Sequence, residues 1–316
     1  MLYIPSAGRY ENMQYNRCGK SGILLPAISL SLSHNFGTID IFEDGRKIVH
    51  HAFDNGITHF DLSNNYGPAA GSAEENFGRI LKQDFTGNLR DELFISTKAG
   101  YAMWEGPYGN WGSRKHLMAS CHHSLKRMGL EYVDIFYSHR PDPETPVEET
   151  MMALDYIVRS GKALYAGICN YDAEQAKQAI DILKSLGTPC LIHQSECSMF
   201  MRWNETHLPE VLETNGVGRI ASSSKGLLAH RNLQGISAAA DRAKPTNFYI
   251  KKLNEIARKR NQSLAQMSLA WLLKDKKITS ALINVNSKEQ LNDNLSALNN
   301  LRFAEEELEA IEKVLD

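Results

Sequence analysis

At 316 residues, 42% hydrophobic and 23% charged, the chain has the composition of a folded globular protein and is long enough for one large domain or two small ones. A net charge of −2, with no run of Lys or Arg, gives no electrostatic footprint for nucleic acid or an anionic membrane surface, and small-molecule partners are expected instead. Five cysteines without CxxC spacing support neither a disulfide framework nor a zinc ribbon. They point to a reducing compartment, and with no apolar run of signal-peptide or membrane-spanning length the chain reads as cytoplasmic.

In chain order, MQYNRCGKSGILLP reads first as two short strands about a Gly-containing turn, a hairpin suited to plug the bottom of a barrel. Eight apolar runs of strand length follow: ISLSL, THFDLS, LFISTK, VDIFYSH, ALYAGIC, LIHQ, GRIAS and SALINV. Helical periodicity fills 44–55, 72–84, 113–129, 147–159, 172–186, 205–215, 248–275 and 287–298. Ser72 with Glu75 reads as a capping box, and Ser113 opens the helix after the glycine-rich GPYGNWG loop. Strand alternating with helix eight times predicts an α/β fold, a (β/α)8 TIM barrel with an N-terminal β-hairpin. A doubly wound open sheet usually stops sooner and carries a glycine-rich first turn, and neither GxGxxG nor GxxxxGK[ST] occurs. No repeat, linker or low-complexity stretch divides residues 1–316, which read as a single domain.

In such a barrel the C-terminal strand ends face one pocket. That rule selects Asp61 at the end of the second strand with Tyr66 in its loop, Lys98 at the end of the third, and His139 at the end of the fourth. Each alone has an ordinary reading: a cap, a loop anchor, a surface cation, a structural histidine. Together they can polarise a carbonyl. An ammonium beside a phenol is expected to lower its pKa and ease proton donation, Asp61 would hold that ammonium, and His139 would hydrogen-bond a substrate oxygen. The same lysine also suits a Schiff-base aldolase. His50 with His51 and His122 with His123 are consecutive on helices and lack ligand spacing, so no metal site is expected.

These four residues in their contexts resemble the catalytic tetrad of the aldo-keto reductases. The segments THFDLSNNYGPAAGSAEENFGR, STKAGYAMWEGPYGNWGSRK, SLKRMGLEYVDIFYSHR and SGKALYAGI look like the bacterial L-glyceraldehyde 3-phosphate reductase branch, itself similar to potassium-channel β subunits. The resemblance implies NADPH (NADP+) as cofactor, a small aldehyde or ketone substrate of the glyceraldehyde 3-phosphate or methylglyoxal kind, and Tyr66 as proton donor. It assigns Cys169, where relatives carry serine, Asn170 and Gln194 to the nicotinamide end. It assigns Ser222, Ser223, Gly226 and Leu227 to the loop after the seventh strand, and Arg242 to the adenosine phosphate. Asn286, Gln290 and Asn294 would line the adenosine, and Trp104, Trp111 and Arg202 the substrate pocket. Here the chain departs from its relatives: IASSSKGLLAHR is about two residues short, with Ser222 in place of a stacking aromatic and Ser224 near a proline position, and Asn284 and Asn286 replace a glycine and a serine. The SSSKG loop motivates a second reading, a barrel with impaired cofactor binding that acts as a binding or assembly subunit. No sequence feature marks an oligomeric interface; relatives that form tetramers or octamers leave a homo-oligomer open.

Overall fold

The computed structural model describes residues 3–199, 207–222 and 246–315. Two short strands, β1 (Tyr15–Arg17) and β2 (Leu24–Pro26), pair antiparallel as the predicted hairpin. Eight parallel strands then close into a barrel in the order β10-β3-β4-β5-β6-β7-β8-β9. They are β3 (Ile28–Ser31), β4 (His59–Asp61), β5 (Phe94–Ala99), β6 (Val133–Ser138), β7 (Ala163–Cys169), β8 (Cys190–Glu196), β9 (Gly218–Ser222) and β10 (Ser280–Ile283). Each coincides with one of the eight apolar runs. The wall strands are buried on both faces, which is why their sequences read as nearly continuous apolar segments rather than alternating ones.

The outer layer comprises α1 (Phe42–Asp54), α2 (Ser72–Asp84), α3 (Arg114–Met128), α4 (Val147–Arg159), α5 (Ala173–Ser185), α6 (Leu208–Asn215), α7 (Thr246–Lys259), α8 (Leu264–Leu273), α9 (Lys288–Leu295) and α10 (Glu305–Leu315). Ser113 caps α3 as expected, accepting from His116 N, and Gly129 closes the helix at φ +67°. Three predictions need correction. Ser72 is the first helical residue rather than the cap; its hydroxyl donates to Ala69 O (2.6 Å), and Gly71 takes the cap position at φ +91°. The neighbouring Glu74, not Glu75, carries the structural role: fully buried, it accepts from Thr97 Oγ1 (2.6 Å) and Arg127 Nε (2.7 Å), pinning α2 to β5 and α3. The single helix expected over 248–275 is two, because Asn261 turns left-handed at φ +54° and a Ser263–Gln266 capping box restarts the chain as α8. The terminal helix α10 has no counterpart in the sequence reading. Of the helix expected over 205–215, the described part is α6, and 205–206 lie outside the described residues.

One apolar core fills the space between wall and helices, and a second lies inside the barrel. The inner one joins the hairpin residues Cys18 and Leu25 to inward side chains of the wall, including Ile135, Tyr137, Ile192, Ile220 and Leu282. The hairpin thus closes one end of the barrel. Gly167 makes room for the Tyr137 ring, which stands 2.5 Å from where a Cβ would be. The other end remains open and collects the polar strand ends.

Two histidines are sealed in the wall. His59 on β4 and His193 on β8 are both fully buried, and burial pulls each imidazole down to about 4. A folded pKa below the unfolded value means that the unfolded chain binds more protons in between, so stability falls as pH drops from about 6.5 towards about 4. Each histidine costs the fold on the order of 3 kcal/mol across that window. The urea unfolding midpoint is therefore expected to be level above about pH 7.5 and to drop steeply by about pH 5. A midpoint unchanged or rising over that range would refute the neutral burial of these rings.

Candidate active site at the open end of the barrel

The parallel register brings β4, β5 and β6 side by side, with Asp61 opposite Ser96 and Lys98 opposite Tyr137. Asp61 and Lys98 are both fully buried, and Lys98 Nζ donates to Asp61 Oδ2 at 2.5 Å and to Leu62 O at 2.8 Å. Asp61 Oδ1 accepts from Ser96 Oγ (2.6 Å), and Gln194 Nε2 reaches Oδ2 at 3.4 Å. A buried ion pair is tolerable when its remaining bonding capacity is met, and this one has partners on both oxygens.

Tyr66 follows β4 by one loop. Its ring centroid lies 5.3 Å from Lys98 Nζ and 6.2 Å from the His139 ring. Acid, amine, phenol and imidazole therefore converge as predicted from their strand-end positions. The electrostatics differ from the expected ones. Burial raises the Tyr66 phenol well above its ordinary value, Asp61 adds to the rise, and a hydrogen bond with the Ser31 side chain opposes it. The expected net depression does not result, because burial outweighs any help from Lys98, whose ammonium is paired with Asp61 so that the phenol faces an ion pair rather than a free cation. His139 is pushed well below the usual imidazole value by burial, then by Lys98 and Arg140. At neutral pH both groups are uncharged. His139 Nδ1 lies 3.0 Å from Ser63 Oγ, which itself lies 2.6 Å from Asn65 Oδ1.

Tyr66 and His139 border a cavity of about 440 Å³ lined among the described residues also by Ser31, Tyr101, Gln194 and Ser222, with others, and the Asp61–Lys98 pair is buried behind them. Cys169, Asn170, Ser195 and Glu196 share its wall. Burial raises the Cys169 thiol to about 12, so it is a weak neutral donor. Asn170 is held left-handed at φ +61°, and among the described residues its amide reaches His139 O at 3.4 Å and Cys169 Sγ at 3.3 Å. Gln194 Oε1 and Ser195 Oγ are buried without a hydrogen-bond partner among the described residues. An aromatic carboxamide would satisfy them: its NH₂ can donate to Gln194 Oε1, and its carbonyl can accept from Asn170 or Ser195. The residues present fit the nicotinamide end of a dinucleotide.

The distal end is partly visible. Asn286 N donates to Gln290 Oε1 (2.8 Å) and Asn35 Nδ2 to Asn286 Oδ1 (2.6 Å), while Asn284 Oδ1 accepts from Ser33 Oγ (2.7 Å). Asn294 is buried on α9. Arg202, Ser223, Ser224, Gly226, Leu227 and Arg242 lie outside the described residues.

Trp104 and Trp111 do not border the cavity. Trp104 packs against His116 and His123, with ring centroids 5.0 and 5.7 Å apart, and Trp111 lies under the Arg140 guanidinium at 3.6 Å. Arg140 also covers Tyr101 (4.2 Å) and donates to Gly100 O (2.9 Å) and Asn110 Oδ1 (3.0 Å). Tyr101, edge-on to His139 at 4.6 Å, is the aromatic of this loop that lines the cavity, beside Tyr66. Sequence reasoning passed it over, although it follows Lys98 by three residues in KAGY.

Comparison with known proteins agrees with this geometry. The aldo/keto reductase family profile matches residues 37–316. The chain is 50% identical to the L-glyceraldehyde 3-phosphate reductases of Escherichia coli O157:H7 and Escherichia coli K12, over 99% of this chain and 95% of each relative. It is 30% identical to a probable voltage-gated potassium channel subunit beta of Arabidopsis thaliana, over 90% of this chain and 91% of that protein. The barrel, the convergent strand ends and these similarities place the chain in the aldo/keto reductase family of oxidoreductases.

Proposed function

We propose that the protein reduces small aldehydes, of the glyceraldehyde 3-phosphate or methylglyoxal kind, to alcohols with NADPH, and that Tyr66 is the proton donor. The observation that carries this reading is a neutral phenol and a neutral imidazole on one cavity, with the Asp61–Lys98 pair buried against the phenol and polar groups suited to a carboxamide on the same wall. Half-identity to reductases of a phosphorylated triose supports the substrate class.

NADPH, when bound, would supply a hydride for the carbonyl carbon. Asn170, Gln194 and Ser195 would hold its carboxamide, and they line the same cavity as Tyr66 and His139. As the C=O π electrons move onto oxygen, the Tyr66 hydroxyl protonates that oxygen. A phenol that burial keeps protonated suits this task, because an alkoxide is a stronger base than a phenolate. The Asp61–Lys98 dipole holds its orientation beneath the ring and receives the phenolate until solvent returns the proton. Ser63 spends its one proton on Asn65 Oδ1 (2.6 Å) and therefore accepts from His139 Nδ1, so the neutral imidazole turns an unprotonated Nε2 away from Ser63 and shapes the pocket beside Tyr66 rather than giving a second proton. Schiff-base chemistry at Lys98 is disfavoured: the amine is fully buried and committed to Asp61 and Leu62 O.

Tyr66→Phe is expected to lower kcat/KM for aldehyde by about 10²- to 10⁴-fold while NADPH affinity, read from quenching of protein fluorescence, stays within about twofold. Unchanged turnover would reject the donor. Failure of the unmodified protein to bind NADPH or oxidise it with aldehyde would instead favour the binding or assembly role, and a parallel NADH titration decides the dinucleotide preference.

Because neither Tyr66 nor His139 changes charge near neutrality, kcat at saturating NADPH should be level between about pH 6 and about pH 8. An inflection near about pH 6.5 that disappears in His139→Asn would contradict the neutral imidazole.

A further inference from the structure

Directly beneath Asp61 the barrel interior carries a continuous row of polar side chains where an apolar layer is usual. Ser280 Oγ lies 2.6 Å from Ser29 Oγ, Ser29 Oγ lies 2.9 Å from His59 Nδ1, His59 Nε2 lies 3.0 Å from Ser96 Oγ, and Ser96 Oγ lies 2.6 Å from Asp61 Oδ1. All five residues are completely buried and belong to four adjacent strands, β10, β3, β4 and β5. The His59 ring is also fixed edge-on against Phe94, with centroids 5.7 Å apart.

We infer that His59 is a positioning residue for the reduction: as the Nε2–H tautomer it fixes Ser96 so that the serine proton points at Asp61 Oδ1, leaving Oδ2 to orient the Lys98 ammonium beneath Tyr66. The inference rests on the reductase reading above for its kinetic consequence, but its hydrogen-bond polarity stands on geometry alone. Asp61, paired with Lys98, is a carboxylate and accepts only. The one proton of Ser96 must therefore go to Asp61, since any other placement sets two bare oxygens 2.6 Å apart. Ser96 then accepts from His59, so Nε2 bears hydrogen. Burial keeps His59 neutral with a single N–H, which leaves Nδ1 as an acceptor for Ser29. Ser29 has spent its proton, so Ser280 donates to it. The anion at the top dictates the direction of every bond below it, and each donor is in turn stiffened by the one beneath.

The row makes a discriminating experiment available. Ser96, Ser29 and Ser280 are equally and fully buried, and replacing each by alanine deletes the same single oxygen. If the row were only structural, the three variants would lose similar amounts of activity or none. A directional row requires a gradient: kcat falls about 10- to 100-fold in Ser96→Ala, about threefold in Ser29→Ala and less than about twofold in Ser280→Ala, with the aldehyde KM and NADPH affinity unchanged in all three. His59→Leu should lose as much as Ser96→Ala, whereas His59→Gln, whose side-chain amide can again donate towards Ser96, should recover most of the loss. Equal losses across the serines, or no recovery by glutamine, would overturn the positioning role.

Imidazole ¹⁵N spectra of the unmodified protein, with His59 assigned by the signal lost in His59→Gln, test the polarity without any turnover. An Nε2–H ring is expected and an Nδ1–H ring would overturn the proposal. Tyr66→Phe separates the two ideas. If that variant is inactive while the serine gradient is flat, only the positioning role fails; if the unmodified protein reduces nothing, the function reading fails and the tautomer still decides for or against the row.

Discussion

The arrangement of the site depends on one buried ion pair. Lys98 and Asp61 meet at 2.5 Å inside the barrel, where separating the charges from water costs several kcal/mol per ion. That cost is met by what surrounds them: Leu62 O takes a second ammonium proton, Ser96 occupies Oδ1, and Gln194 approaches Oδ2. Removing either partner would leave the other charge buried without its counter-ion. The hydroxyl-rich barrel interior below the pair is thus the environment an obligatory carboxylate requires, and it displaces the aliphatic layer that barrel packing would otherwise favour at that level.

The pair also governs what its neighbours can do. A free ammonium beside Tyr66 would favour phenolate, and that was the electrostatic role the sequence suggested for Lys98. With Asp61 seated on it, the field at the phenol is that of a dipole, and burial decides the outcome by raising the phenol. His139 feels the same desolvation with the opposite consequence for charge, because its ionised form is the cation. One dry site therefore yields two neutral hydrogen-bonding groups, a phenol and an imidazole, facing one cavity.

The strands were legible because walls buried on both faces leave uninterrupted apolar runs, and the convergence of four polar groups was legible because Asp61, Lys98 and His139 stand at strand ends. Where local signals compete, the sequence misled. Ser72 looks like a cap because Glu75 follows at the right spacing, but Gly71 reaches the left-handed conformation that the turn requires, and the serine bonds backward to Ala69. The break between α7 and α8 was hidden by helical periodicity running through it, although RNQSLAQ carries its own restart signal in Ser263 and Gln266. Trp104 and Trp111 drew notice as aromatics of a loop near the pocket, yet their rings are engaged by His116, His123 and Arg140. His59 was invisible as a functional candidate: inside an apolar run, a histidine two residues before an acid has no signature until register sets it between Ser29 and Ser96.

That invisibility follows from how barrels are built. Residues two apart on a strand share a face, so His59 and Asp61 point into the same interior one layer apart, as do Ser96 and Lys98 on the neighbouring strand. The upper layer carries the ion pair buried behind the cavity, and the lower layer carries the polar row that meets it through Ser96. A sequence scan for strand ends samples only the upper layer. Because side-chain period is fixed at two, the chemistry of the upper layer constrains the lower one: an anion at the strand end calls for a donor beneath it, and that donor calls for another. The polar floor of this barrel is therefore a consequence of placing a carboxylate at Asp61, propagated downward through the wall until Ser280, where the strand pairing with β3 allows the row to end on a hydroxyl that needs no further donor.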